Sequence, residues 1–475
     1  MSSTFEDLKD RWINLVKNGE KTEADRLYWE KMFPYIKEKF AKETEWMIKN
    51  GEIPHYDLII MPIGFEPAYH IILINAIKPK QVYFLCTKEG EKYILDKVIK
   101  MSGLKQDQYK KDVIEYEGID VSIVYEKIKK RIEMFKGKKI AIDLTRGSRI
   151  VAAGAAIVGD FFGCDLIHIE KGWIKELNIG EPGKERLVKV KNPLHIFGDL
   201  ENLYAIKLFN EYQYIASNLL FRDIINKTPD PREFEIKSLI SECYMFWDSF
   251  NYKGAFQIIQ RVVQKIDQYD IKKFDYVQLK RNLNILKHLS EIQSSEKKFI
   301  DMLKNDDLVI HLTIDLFCNG ERRAEQNKFE DAISRFYRAI ELISQHRLSR
   351  RGIDSSSPDY NILGSKVKQK FDEINKEIYK EEKTLPLQTA LKTGHIILFA
   401  LEDDIWKEKT IQELKNFIDC IKLRDSSFVA HGIQIVSRNS YKKLKNIIKD
   451  FLERLCKIYS KDFDSLIEYH RFLKL

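Results

Sequence analysis

Apolar residues recur three and four apart through FEDLKDRWINLVKNG, which predicts an amphipathic helix with Gly19 placed to end it. Residues 1–50 as a whole read as helices. The texture changes at YDLIIMPIGFEP, where LIIMPI is an unbroken apolar run stopped by Gly64 and Pro67. Such a run fits a parallel strand buried on both faces and leading into a loop. AYHIILINAIK then predicts a helix and QVYFLCT a second strand. Residues 93–134 predict helical segments parted by a strand at DVIEYEG, and KKIAIDLT (138–145) is another buried strand. Its loop, RGSR, opens onto the small-residue helix IVAAGAAIVGDFFG, and the strand CDLIHIE closes the set. Strand and helix in alternation predict a doubly wound α/β domain.

Beyond NPLHIFGDLE (192–201) the strand signals stop and long amphipathic helices take over. Two stretches rich in Pro, Gly, Ser and Asp break them, NKTPDPREF (226–234) and LSRRGIDSSSPDYNILG (348–364). The reading is of three parts: an α/β domain over 1–201, an all-α connector over 202–305 and an all-α domain over 306–475. EDAISRFYRAIELISQ (330–345) has the rhythm of a tetratricopeptide helix. No second copy follows at the required spacing, so a solenoid is not expected.

Composition narrows the picture only a little. The 475 residues are 44% hydrophobic and 32% charged, with a net charge of +8 from 80 basic and 72 acidic residues. That balance permits a polyanionic partner without demanding one. The six cysteines are scattered without a CxxC pair, so buried reduced thiols are expected and no metal site. The first residues are charged, and no apolar run approaches the ~20 residues that cross a bilayer. An intracellular, cytoplasmic protein with no membrane partner is the expectation.

Two loops of the α/β domain carry chemistry for an anion. One is Gly64, Phe65, Glu66 and Pro67, after LIIMPI; the other is Thr145, Arg146, Gly147, Ser148 and Arg149, after KKIAIDL. In an open parallel sheet ligands settle beyond the carboxyl ends of the strands, where strand order reverses. Thr, Gly and Ser at a helix start present amides and hydroxyls to negative charge, and the two arginines add forked donors. Thr87 and Lys88, after the second strand, form a third edge. Neither GxGxxG nor GxxxxGK[ST] occurs, which argues against dinucleotide cofactors and P-loop hydrolysis. The block DLIIMPIGFEP … VYFLCTKEG … IDLTRGSRIVAAGAA … NPLHIFGDLE resembles the CARF ligand-sensing domain of CRISPR-associated proteins. The resemblance implies a Rossmann-like fold that binds a cyclic oligoadenylate. Arg146 stands where that family's DLTGG pattern has its first glycine, and Arg149 where its lysine follows.

Near the other end, LRDSSFVAHG sets Arg424 and His431 seven positions apart. On a continuous helix that is close to two turns, or roughly 10 Å of rise, so both side chains project from one face. The pattern resembles the R-x(4–6)-H motif of HEPN ribonucleases, and EDAISRFYRAIELISQHRL resembles a helix of the CARF–HEPN effectors. RNA cleavage without metal needs a proton carrier and a fixed cation beside the phosphorus. His431 titrates near neutrality and Arg424 stays charged. Asp425 is placed to cap the motif helix or to orient Arg424 or His431. Arg338 and His346 form a decoy pair, read as structural. Arg438, Lys442, Lys443, Lys445 and Lys449 follow the motif, either as a solvated helix face or as a track for an RNA backbone.

The resemblance therefore implies a CARF domain, a helical connector and a HEPN domain. Its activity would be a metal-independent endoribonuclease of type III CRISPR defence, with no cofactor. The activator would be cyclic tetra- or hexa-adenylate (cA4 or cA6), the substrate single-stranded RNA, and the site shared by a homodimer. The alternative is a ligand-binding regulator or scaffold whose HEPN-like part only dimerises. A third reading is a toxin-like nuclease that needs no ligand.

Overall fold

The computed structural model describes residues 4–115, 120–191, 197–294, 299–381, 385–425, 433 and 435–475. It divides into two units, Met1–Pro193 and Leu194–Leu475.

Six strands form one sheet in the first unit: β1 (Leu58–Pro62), β2 (Gln81–Thr87), β3 (Tyr109–Ile114), β4 (Ile140–Asp143), β5 (Asp165–Ile174) and β6 (Ile179–Val190). Their order is β3-β2-β1-β4-β5-β6, with β1 to β5 parallel and β6 antiparallel to β5. Alternate side chains of β1 divide between two cores. Ile59 and Met61 pack with Phe33, Phe40 and Ile71 from the helices Phe33–Lys49 and Pro67–Ile77. Leu58 and Ile60 pack with Val124, Ile128, Val151 and Ala155 from the helices Val121–Met134 and Arg149–Phe161. Helices on both sides explain why the strand reads as continuous apolar sequence. Each such side chain stabilises the fold by roughly 1.5–3 kcal/mol on burial. From β1 the chain winds outward through β2 and β3, then returns to β4 on the opposite side of β1. The order reverses there, which sets the loops after β1 and β4 side by side.

Two details differ from the sequence reading. The strand expected at DVIEYEG runs over Tyr109–Ile114, so it starts earlier; residues 116–119 lie outside the described residues. The strand at CDLIHIE continues to Ile174 and turns back through Asn178, at φ 52°, into β6. That added strand makes the sheet mixed. The N-terminal helices are as expected, with Gly19 at φ +79° and Glu20 N–H donating to Leu15 O at 2.9 Å to close Phe5–Lys17.

All described regular structure in the second unit is helical, and no described helix is long and apolar enough to cross a membrane. Both predicted breaks fall between helices. Tyr214–Ile225 is followed by Arg232–Asp248, and Phe329–Arg350 is followed by Ser365–Tyr379. One hydrophobic core gathers Tyr244, Trp247, Ile259 and Leu286; another gathers Phe336, Ile340, Ile397, Ile418 and Leu452. The tetratricopeptide-like stretch lies in Phe329–Arg350, which supplies Ala332, Phe336, Ala339 and Ile343 to that second core. A buried polar seam joins the two. Asp248 accepts from Arg322 Nε at 2.9 Å and from Arg323, while Trp247 Nε1 and Tyr252 OH donate to Asp315 at 2.8 and 2.9 Å. Deleting one member of such a pair leaves a buried charge uncompensated, at a cost of roughly 3–5 kcal/mol.

Candidate functional site

Gly64 and Arg146 bring the two loops of the α/β unit into contact. A side-chain carbon built at Gly64 would lie 2.9 Å from Arg146 Cβ and 3.1 Å from Gly147 N, so only glycine fits. Gly147 has φ +112°, a conformation that disfavours any other residue. Arg146 is paired with Glu66 across the gap, and its guanidinium lies 4.5 Å from the Tyr69 ring centroid. His70, fully buried, accepts from Gly64 N–H at 3.2 Å and faces Asp143 Oδ2 at 3.8 Å with its Nδ1. Asp143 Oδ1 accepts from Thr145 N–H at 2.8 Å, and Thr145 Oγ1 accepts from Ile169 N–H at 2.9 Å. Ser148 caps Arg149–Phe161 by accepting from Val151 N–H at 3.3 Å. Two side chains of the set point outward without such duties: Phe65 and Arg149 are exposed, and Arg149 forms no ion pair among the described residues.

Pro67 opens the helix Pro67–Ile77, in line with its fixed φ. Thr87 and Lys88 lie one strand away, after β2. Thr87 Oγ1 accepts from Gly90 N–H at 3.2 Å, and Lys88 pairs with Glu115 at 3.1 Å. The β1 and β4 loops thus meet through Gly64, Glu66, Arg146 and Gly147 in one floor. His70 and Asp143 brace it from below. Sequence reasoning passed over both, since a histidine in AYHIIL and an aspartate in IDLT read as ordinary helix and strand positions.

In the helical unit, Arg424 and Asp425 stand at the end of the helix Ile411–Asp425. The Arg424 guanidinium lies over the Tyr337 ring, 4.5 Å from its centroid, and its Nη1 is 3.8 Å from Asp425 Oδ1. Lys392 Nζ donates to Asp425 Oδ2 at 2.7 Å. Burial, and then the Asp425 and Glu341 carboxylates, push the Tyr337 phenol upward, which keeps it protonated. Arg424 remains partly exposed, with one side of its guanidinium covered by the Tyr337 ring. His431 lies outside the described residues, so its spacing from Arg424 rests on the sequence alone. Tyr337 and Lys392 are additions. Tyr337 sits inside the stretch already quoted, yet nothing in its spacing singled out one aromatic among several.

The decoy pair is engaged elsewhere. His346 is fully buried between Leu303 O, at 2.6 Å, and Tyr459 OH, at 2.8 Å, and burial lowers its pKa. Arg338 donates to Glu341 at 2.5 Å. On the helix Arg438–Ile458, Lys445 pairs with Glu321 and Lys449 with Glu453 at 3.5 Å. Lys442 and Lys443 are exposed without an ion pair among the described residues.

Comparison with known proteins gives matches on both halves of this helical unit. Residues 302–455 match the Csm6 HEPN domain family, and residues 197–292 the Csm6 6H domain family. The CRISPR system endoribonuclease Csm6 of Thermus thermophilus is 23% identical over 464 residues, spanning 94% of this chain and 95% of the relative. A solved structure, Enterococcus italicus Csm6 bound to cyclic hexa-2′-fluoro-hexa-dAMP, is 12% identical with a TM-score of 0.46. That match covers 87% of this chain and 98% of the other.

Proposed function

We infer the function from the premise that the chain belongs to the CRISPR-associated CARF–HEPN ribonucleases, carrying Csm6 HEPN and 6H domains. It is an endoribonuclease regulated by cyclic oligoadenylate. The finer reading is that cA4 or cA6 settles on the β1 and β4 loops of residues 1–201. Through the connector, 202–305, it switches on metal-independent cleavage of single-stranded RNA by residues 306–475. The setting is the cytoplasm.

The observation that carries this reading is Arg424, its guanidinium over the Tyr337 ring and partly exposed, seven positions before a histidine. Cleavage proceeds by loss of the 2′-hydroxyl proton to a base, formation of the O2′–P bond and rupture of P–O5′. The departing 5′-oxygen takes a proton, leaving a 2′,3′-cyclic phosphate and a 5′-hydroxyl. His431 moves protons, and Arg424 holds the charge that builds on the phosphoryl oxygens. One such pair serves one side of the phosphorus, and a second copy of the chain supplies the other. Pairing of copies is supported by the helix Arg149–Phe161, where Ile150, Ile157 and Phe161 are 44%, 54% and 69% exposed along one side.

The test incubates purified protein with labelled single-stranded RNA, with and without cA4 or cA6, in the presence of EDTA. Cleavage is expected with a ring present, and is expected to fall by roughly 10²-fold or more in His431→Ala and Arg424→Ala. A ring that binds while RNA stays intact under all conditions would overturn it and return the chain to the scaffold reading. Cleavage equally fast without a ring would favour the toxin-like one.

A further inference from the structure

Beside the β1 and β4 loops, on the far side of Glu66 and Arg146, lies a cleft of about 650 Å³. The N-terminal helices wall one side of it and the β5–β6 hairpin the other. Its lining combines aromatic rings with cations. Lys97 Nζ lies 3.9 Å from the Trp29 ring centroid, and Lys171 Nζ lies between Tyr69 and Trp173, at 5.4 and 4.8 Å. Arg146 covers Tyr69 from the loop side, and its Nε is buried with no hydrogen-bond partner.

The charge balance inside the cleft is unfinished. Neither Lys97 nor Lys171 forms an ion pair among the described residues. Lys171 is partly withdrawn from water beside the Arg146 guanidinium, and both effects lower its pKa. Three acids line the cleft: Asp25 is exposed, and Glu66 is committed to Arg146. Glu185 is buried, a setting that favours its neutral form, and accepts from Gly183 N–H at 2.8 Å. A desolvated ammonium next to a guanidinium is costly until an anion arrives. The exposed Trp173 supplies an apolar face beside it. Rings that stack a base, next to cations that hold a phosphate, are the means by which proteins bind single nucleotides along a strand. The volume suits a ligand of that size.

We propose that this cleft binds one purine nucleotide unit, its base against Trp173 and its phosphate at Lys171 and Arg146. The unit is either a free mononucleotide or a single nucleotide of the cyclic oligoadenylate; the second source rests on the activation reading above. Because Arg146 and Glu66 belong to both the cleft and the loops, filling the cleft adjusts the floor on which the ring is proposed to sit.

The test is calorimetric titration of the full chain with AMP, cA4 and cA6, on wild type, Lys171→Gln, Lys171→Arg and Trp173→Ala. Trp173 and Lys171 lie at the surface of the cleft, so the variants are expected to fold, which a thermal melt checks. Lys171→Gln and Trp173→Ala are each expected to weaken binding by about tenfold, the size of one lost base stack or phosphate contact. Lys171→Arg retains it. AMP binding that responds to these variants identifies a free nucleotide, whatever the rings do to RNA. A response confined to the rings identifies one of their own nucleotides. No heat with any probe, or affinities unchanged in both Lys171→Gln and Trp173→Ala, overturns the proposal, even where ring-activated cleavage is intact.

Discussion

Asp425 is held at 2.7 Å by Lys392, a residue 33 positions earlier in the chain, and so its carboxylate does not belong to Arg424 alone. With Lys392 taking one oxygen, Arg424 stands 3.8 Å from the other and remains partly exposed. Lys392→Met is expected to slow cleavage by about tenfold, because Asp425 then turns to Arg424 and neutralises it. Adding Asp425→Asn to that variant restores most of the rate. Single-turnover cleavage of the two single variants and the double variant checks this; additive losses would show that the pair is merely structural.

Tyr337 lies beneath the same guanidinium. A cation over a ring gains about 0.5–1 kcal/mol at a partly exposed position. Tyr337→Leu is therefore expected to lower kcat by roughly two- to fivefold, with Tyr337→Phe near wild type. Arg424→Ala loses roughly 10²–10³-fold. Equal rates for Tyr337→Leu and wild type would remove the ring from any positioning role.

The two arginines of the β4 loop separate by their surroundings. Arg146 is locked to Glu66 and Tyr69, whereas Arg149 is exposed at the start of a helix and forms no ion pair among the described residues. Arg149→Ala is expected to weaken cyclic oligoadenylate binding about tenfold without moving Tm. Arg146→Ala is expected to lower both affinity and Tm, since the loops lose their tie. Melting curves and titrations on the same preparations decide it.

Burial holds His395 at a pKa of about 3, with the Ile340 carbonyl and Asp403 pulling weakly the other way. The unfolded chain titrates near 6.5. Between those values the unfolded state binds the additional proton, so stability rises with pH and is lost as pH falls below ~6.5. The slope approaches ~1.4 kcal/mol per pH unit for one such site. His311, also near 3, adds a second. Urea midpoints between pH 7 and 5 are expected to fall, with a shallower fall in His395→Gln. An unchanged slope in that variant would clear His395 of the effect.

Where the sequence was readable, the cause was periodicity under strong burial. β1 and β4 are apolar on both faces and show as continuous runs, and the helix breaks fall where Pro, Gly and Ser interrupt a 3.6-residue rhythm. β6 was missed because its buried positions include Pro182, Gly183 and Glu185, so the alternation of burial over 183–187 has no matching apolar alternation in IGEPGKERLVKV. The loops announced themselves through residue type, but their internal ties did not. Arg146 reads as a free donor until Glu66 and Tyr69 are seen around it. Lys392 belongs to a helix far from the Arg–His motif in sequence, and only folding sets it beside Asp425.

The contact at Gly64 also constrains how this protein can change. Glu66 and Arg146 are 80 positions apart, yet any atom added at 64 enters space that Arg146 already fills. Neither segment can be transplanted from a cousin by itself. Drift here must proceed by matched edits at two addresses, so the pair should travel through descent as one inherited part.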